Sequence, residues 1–113
     1  MLHIDENNEI SLTRGDTAYL TVPIHHSITG AEYVLDPNDT LTLTCKRSAR
    51  TSEVTIIFQK ILKGSNMFHI KPEDTADCDF RTYKYDVQLT KANGDVCTVI
   101  EPTNFKVTSE VTF

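Results

Sequence analysis

The chain has 113 residues, 39% hydrophobic and 24% charged, with a net charge of −5 at pH 7. That balance fits a single globular domain over residues 1–113 and excludes a disordered chain. It also argues against nucleic-acid binding: the densest positive stretch is Lys46-Arg47-Ser48-Ala49-Arg50, whereas counterion release from a phosphate backbone needs several cations on one face.

From the N-terminus, Met1-Leu2-His3-Ile4-Asp5-Glu6 has no basic segment followed by a long apolar run, so no secretory signal is read. No segment approaches the roughly 20 apolar residues of a bilayer span. Met1 to Asn8 is expected to fray. Glu9 to Thr13 reads as a short strand, with Ile10 and Leu12 on one face. Arg14-Gly15-Asp16 is a turn. Asp16 to His25 is a second strand, with Ala18, Leu20, Val22 and Ile24 aligned, and Pro23 puts its end at an edge or a bulge.

Ser27 to Gly30 turns the chain, Tyr33-Val34-Leu35 is a short extended piece, and Asp36-Pro37-Asn38-Asp39 is another turn. Thr40 to Arg47 alternates strictly, with Leu41, Leu43 and Cys45 on the dry face. After a loop at Ser48 to Ser52, Glu53 to Lys60 is a strand with Val54, Ile56 and Phe58 inward. Ile57 breaks its pattern, as an exposed apolar residue or a bulge would. Lys63-Gly64-Ser65-Asn66 turns into Met67 to Lys71, where Phe68 and Ile70 face in. The Lys60 to Lys63 region and Pro23 are candidate edge guards.

Pro72 to Asp77 is the one expected helical turn, because Pro suits the first helical position and Glu73 and Asp74 suit an N-terminus. Thr82 to Thr90 alternates without a fault: Tyr83, Tyr85, Val87 and Leu89 share one face. Asn93-Gly94 is a hairpin signal, and Asp95 to Ile100 pairs back. Pro102 is expected to end that strand, and Asn104 to Thr112 to form the last. The ends, Met1 and the strand-like Glu110-Val111-Thr112-Phe113, are read as those of a whole small gene product. Seven to nine strands with turns every 8 to 12 residues give an all-β class, an antiparallel β-sandwich with one short helical turn.

The residues assemble no reactive constellation. His25 and His26 are adjacent, so a rigid strand aims them apart. His3 and His69 have no spacing that would bring them in as the further ligands a metal needs. Cys78 lies between Asp77 and Asp79, which disfavour a thiolate. Cys45 and Cys97 are read as small buried hydrophobes and Cys78 as more exposed, all three reduced. Glu73 and Asp74 are explained by the helix start. Arg14-Gly15-Asp16 matches the tripeptide that integrins read, but Gly-Asp simply makes a good turn. No residue is assigned a catalytic, cofactor-binding or metal-binding role, and the chain is read as not an enzyme.

The ordered set of motifs goes further than any single one. It comprises Thr13-Arg14-Gly15-Asp16-Thr17, Tyr33-Val34-Leu35, Asp39-Thr40-Leu41-Thr42-Leu43, Lys71-Pro72-Glu73-Asp74-Thr75, Tyr83-Lys84-Tyr85-Asp86-Val87-Gln88-Leu89, Gly94-Asp95-Val96-Cys97-Thr98-Val99, and Phe105 to Thr112. From Leu12 to Thr112 the chain resembles small virion-associated proteins of phages and prophages of Gram-positive bacteria. It is also similar to the N-terminal domain of phage baseplate upper proteins, although it lacks their long C-terminal extension. The resemblance implies an immunoglobulin-like sandwich of about 7–9 strands that is assembled into a virion in the bacterial host cytoplasm. It implies a structural role in the tail, baseplate or particle, with other virion proteins or further copies as partners and no nucleic acid or membrane. It carries over no catalytic residue and no cofactor. The alternative is a free-standing ligand- or carbohydrate-binding β-sandwich module, for which the lack of Trp and the inward Tyr83 and Tyr85 leave few aromatics to form a platform.

Overall fold

The faultless alternation of residues 82–90 becomes a central strand of the molecule. The computed structural model describes residues 2–4, 7–25, 30–48 and 56–109. Its strands are β1 (Leu2–Ile4), β2 (Ile10–Thr13), β3 (Ala18–Thr21), β4 (Thr40–Lys46), β5 (Ile56–Lys63), β6 (Met67–Ile70), β7 (Thr82–Thr90) and β8 (Val96–Thr108), with one helical turn, α1 (Pro72–Thr75). Six strands form one sheet in the order β1-β2-β8-β7-β4-β5, and β3 and β6 form a second. The class is all-β, as the alternation requires.

Side chains at every second position fill one core between the sheets. Leu41, Leu43 and Cys45 of β4, Tyr83, Tyr85, Val87 and Leu89 of β7, and Phe105 and Val107 of β8 are buried from the large sheet. Ala18 and Leu20 of β3 and Phe68 and Ile70 of β6 join them from the small one, and all belong to a single cluster. Phe105 meets Phe58 and Tyr85 edge-on, with ring centroids 5.5 and 6.1 Å apart, the geometry that aromatic quadrupoles favour.

Several expectations are corrected. The large sheet is mixed, because β2 runs parallel to β8, with Ile10 opposite Phe105 and Leu12 opposite Val107. Residues 2–4 do not fray; they pair antiparallel with β2. The second strand spans only Ala18–Thr21, although Val22 and Ile24 beyond it stay buried and Val22 still exchanges hydrogen bonds with Asn66. Tyr33-Val34-Leu35 keeps the alternation of an extended piece without joining a sheet: Tyr33 and Leu35 pack on the core and Val34 points to solvent.

Pro102 does not end a strand. β8 continues through it for 13 residues and pairs with β7 along most of its length. Tyr85 faces Thr103 and Val87 faces Ile100, so β8 carries one extra residue at Glu101–Pro102; Gln88 faces Thr98, so it carries another at Val99. A bulge is where a strand tolerates a residue with no N–H. A further bulge lies at Ile57, since Cys45 faces Phe58 but Lys46 faces Ile56. The slip turns Ile56 to the outer face, against the expectation that it pointed in. Val54, His26 and residues 110–113 lie outside the described residues.

The strand after the helical turn is fixed by Tyr83. Its hydroxyl accepts a hydrogen bond from the N–H of Asp79 at 2.9 Å. The Arg14-Gly15-Asp16 turn docks on α1: Gly15, at φ +83°, donates its N–H to the buried Thr75 hydroxyl at 2.9 Å. Arg14 donates to the Cys78 carbonyl and lies 4.3 Å from the centre of the Phe80 ring. The tripeptide is therefore part of a corner, built in by its neighbours.

Opposite faces of β4 and β7 carry opposite consequences for stability. Leu43→Ala, at a fully buried position, is expected to lower unfolding free energy by about 2–5 kcal/mol. Gln88→Ala, on the exposed face, should change it by less than about 0.5 kcal/mol. Urea denaturation followed by circular dichroism reads both, and equal effects would contradict the assigned faces.

Candidate functional site

Among the described residues, those singled out by sequence are not brought together. His25 is exposed and bridges to Glu32, while His69 stacks on Tyr19 with centroids 4.6 Å apart. Among the described residues no group of three or more His, Cys, Asp and Glu side chains converges on a metal position. Asp74 accepts a hydrogen bond from the Lys71 N–H at 2.8 Å and an ion pair from Lys60 at 2.7 Å. It closes the helix start, and it holds a lysine that sits on the core-facing side of edge strand β5.

The three cysteines are free, but two lie where they were not expected. Cys78 is only 6% exposed, tucked under the corner after α1, while Cys97 is exposed near the start of β8. Burial, reinforced by Asp77 and Asp79, raises the Cys78 thiol pKa. Burial pushes Cys45 up to about 12. Both thiols are thereby kept protonated, the opposite of a nucleophile's need.

The most connected carboxylate escaped the sequence reading. Asp39, only 1% exposed, ends the turn that begins at Asp36. Its Oδ2 accepts from the Tyr33 hydroxyl at 2.7 Å and the Asp36 N–H at 2.9 Å; its Oδ1 accepts from the Ala92 N–H at 2.9 Å. Its own carbonyl accepts from Gly64 at 2.8 Å. Gly64 has φ +68°, and an added Cβ would lie 3.1 Å from the Pro37 backbone, so no side chain fits there without strain. One residue, through its carboxylate and its carbonyl, thus ties three loops at one end of the sheet. Every oxygen has a protein donor, which marks a structural clasp rather than a reagent.

A groove of about 360 Å³ opens on the outer face of the large sheet. Thr42, Thr44 and Lys46 of β4 and Lys84, Asp86 and Gln88 of β7 line it, because they occupy the positions that alternate with the core. Gln59 and Ile56 of β5 form one flank and Pro102 of β8 the other. Each flank carries a bulge, at Ile57 and at Glu101–Pro102. Bulges bend a sheet and re-aim its side chains, and here they bracket the hollow. Within it Gln59 donates to the Thr44 hydroxyl at 2.9 Å. Lys84 bonds the Asn104 side-chain oxygen, and Asn104 donates to Glu9 at 2.6 Å. Asp86 is half-buried; its pKa is raised by that burial, drawn down by Lys46 and raised again by Glu101.

No family model, no curated protein and no solved structure matches this chain. The groove and the clasp are therefore read from their own chemistry.

The two carboxylates shift in opposite directions. Asp39 lies below its ordinary value of 3.8, chiefly through the Tyr33 hydroxyl. Its contribution is complete above the unfolded-state value and disappears as pH falls through the folded one. Asp39→Asn is expected to lower the thermal midpoint by several degrees at pH 7 and to flatten the loss of stability below about pH 4. Thermal melts across pH would show this, and an unchanged midpoint at pH 7 would remove the clasp from the account. Asp86 lies above 3.8, so what it contributes is complete below the unfolded-state value and is lost as pH rises through the folded one. Asp86→Asn should raise the midpoint at pH 7 by about one or two degrees, kept small by solvent screening, with no gain in acid. A drop at pH 7 would mean that the Lys46 attraction outweighs burial.

Proposed function

We propose that the protein is a non-enzymatic structural piece of a phage or prophage particle, a tail, baseplate or accessory subunit that works by binding other virion proteins. The observation that carries the assembly role is the outer face of the β3–β6 ribbon. Tyr19, 60% exposed, and Met67, 50% exposed, stand there beside His69. In register, Tyr19 faces His69 and Thr21 faces Met67, so these side chains share one surface. A two-stranded ribbon with large apolar groups in water is the surface a protein partner covers. The virion setting rests on the ordered motifs from Leu12 to Thr112.

On this reading the two sheets are the layers of an immunoglobulin-like sandwich. The Tyr83 hydroxyl reaching back to the Asp79 N–H, at the corner that feeds β7, supports it. In the tyrosine corner of such domains a Tyr near the start of a strand likewise bonds the backbone a few residues upstream. The Cys two positions later is absent; Tyr85 stands in its place.

Edge pairing is the less favoured way of joining subunits. β5 is the last strand of the large sheet, but its Lys60 lies on the core-facing side, held by Asp74. An inward charge on an edge strand opposes addition of another strand. The outward side chains of β3 and β6, Tyr19, Thr21, Met67 and His69, include no lysine or carboxylate.

Mass spectrometry of particles purified after induction of the strain that carries the gene tests the proposal. The chain should be present in fixed ratio to other particle proteins. A Tyr19→Glu, Met67→Glu double variant should keep its circular dichroism spectrum and be lost from particles. A chain absent from the particles, or a double variant incorporated as well as the parent, would overturn it.

A further inference from the structure

We propose that the groove on the outer face of the large sheet is a binding site for a neutral carbohydrate of one or two sugar rings. The proposal goes beyond the assembly role and uses a different surface from the β3–β6 ribbon.

Size is the first argument. About 360 Å³ falls at the lower end of the range of small-ligand sites, roughly 300–1,000 Å³. Side chains on one face repeat at roughly 5 Å across strands and 7 Å along them, the scale of a single pyranose ring.

Polar chemistry is the second. Thr42 and Thr44 supply hydroxyls, and Gln59 and Gln88 supply amides. Each group both donates and accepts, as a hydroxyl-rich ligand does. Asp86 adds an acceptor and Lys46 a donor, side by side. A site of this kind rejects analogues that leave its polar groups unpaired.

Charge decides against an ion. Lys46 and Lys84 face each other across β4 and β7, a like-charged pair that would be unfavourable alone. Asp86 lies within reach of Lys46, and Glu101 acts on Asp86 from the neighbouring strand. Lys46, Lys84 and Asp86 line the groove and Glu101 acts from beside it, so charges of both signs stand together and neither an anion nor a cation meets a surface of one sign. A neutral polar molecule complements it. Apolar flanks complete the match: Ile56 stands on one side and Pro102 on the other, each able to lie against the C–H face of a sugar ring.

The bulges give the fourth argument. A bulge sits on each flank of the hollow, at Ile57 and at Glu101–Pro102. Bulges are over-represented beside active sites. Asp86, half-buried against its own preference for water, is the kind of perturbed group that marks a binding position once geometry has located it. No exposed aromatic lies among the lining residues, so affinity is set by hydrogen bonds and is on the order of millimolar.

Nuclear magnetic resonance titration of the full ¹⁵N-labelled chain tests the site, with maltose, cellobiose and N,N′-diacetylchitobiose as probes. At least one sugar should produce saturable shifts at the Gln59 and Gln88 side-chain amides and at the Thr42 and Thr44 backbone. Gln88→Ala should weaken that binding by about three- to tenfold while keeping a folded spectrum, and sodium sulfate and glucuronate should not compete. Absence of saturable shifts with all three sugars, equal binding by the variant, or tighter binding of glucuronate or of a neutral tripeptide would each overturn the proposal. The assembly reading stands or falls separately, on particles and on Tyr19.

Discussion

The pairing of β7 with β8 is the constraint on which the rest depends. Two strands of unequal length share a ladder: nine residues in β7 against thirteen in β8. Two of the extra residues are bulged, at Val99 and at Glu101–Pro102, and Val107 and Thr108 run past the end of β7. Each bulge bends β8 and increases its twist. The far half of β8 then lies between β7 and β2, with Phe105 opposite both Tyr83 and Ile10. From that position Phe105 meets Phe58 and Tyr85 in the core.

The same bend separates two jobs. Toward the core, alternation delivers an apolar surface in which Tyr85 and Leu43 are sealed from water. On the other side it delivers hydroxyls, amides and charges, and the bulges gather them around a hollow. Polar residues that could have done chemistry elsewhere are spent on corners. Asp74 closes a helix start and anchors Lys60; Thr75 receives the turn at Gly15; the Tyr83 hydroxyl receives the Asp79 N–H. A small domain has few residues to spare, and here corner-building uses many of the best-placed ones.

Strand positions were legible wherever a two-residue period ran unbroken. Residues 40–46 and 82–90 and the Phe68–Ile70 pair are buried as their alternation requires. The helical turn followed from Pro72 and its acids, and the hairpin from Asn93-Gly94. What failed was anything set by a partner strand. Whether Pro102 ends a strand depends on whether its neighbour leaves a place without a donor, and β7 does. The direction of β2 depends on β8, almost a hundred residues away. Cys97 alternates correctly but lies near the hairpin end, beyond the reach of the second sheet, so it stays in water; Cys78 sits in a polar stretch yet is covered by the α1 corner. Ile57 was the one hint of the groove, because a broken alternation announces a bulge. The Asp39 clasp left no signal, since Asp36-Pro37-Asn38-Asp39 reads as a turn whether or not Ala92 and Gly64 come to meet it.

Two aspartates, Asp39 and Asp86, show how position rather than residue type assigns a role. Asp39 is the more hidden, yet its charge is favoured, because a hydroxyl and two backbone N–H groups point at its oxygens. Hydrogen bonds to the charged form outweigh its desolvation. Asp86 is the more open, yet its charge is disfavoured, because burial and Glu101 oppose what Lys46 provides. A carboxylate serving only the fold would sit as Asp39 does, with its lone pairs filled. Asp86 instead stands in a hollow lined by hydroxyls and amides, with Lys46 and Glu101 pulling on it in opposite directions. A carboxylate held at some expense to stability beside two bulges is consistent with a surface shaped for something outside the chain.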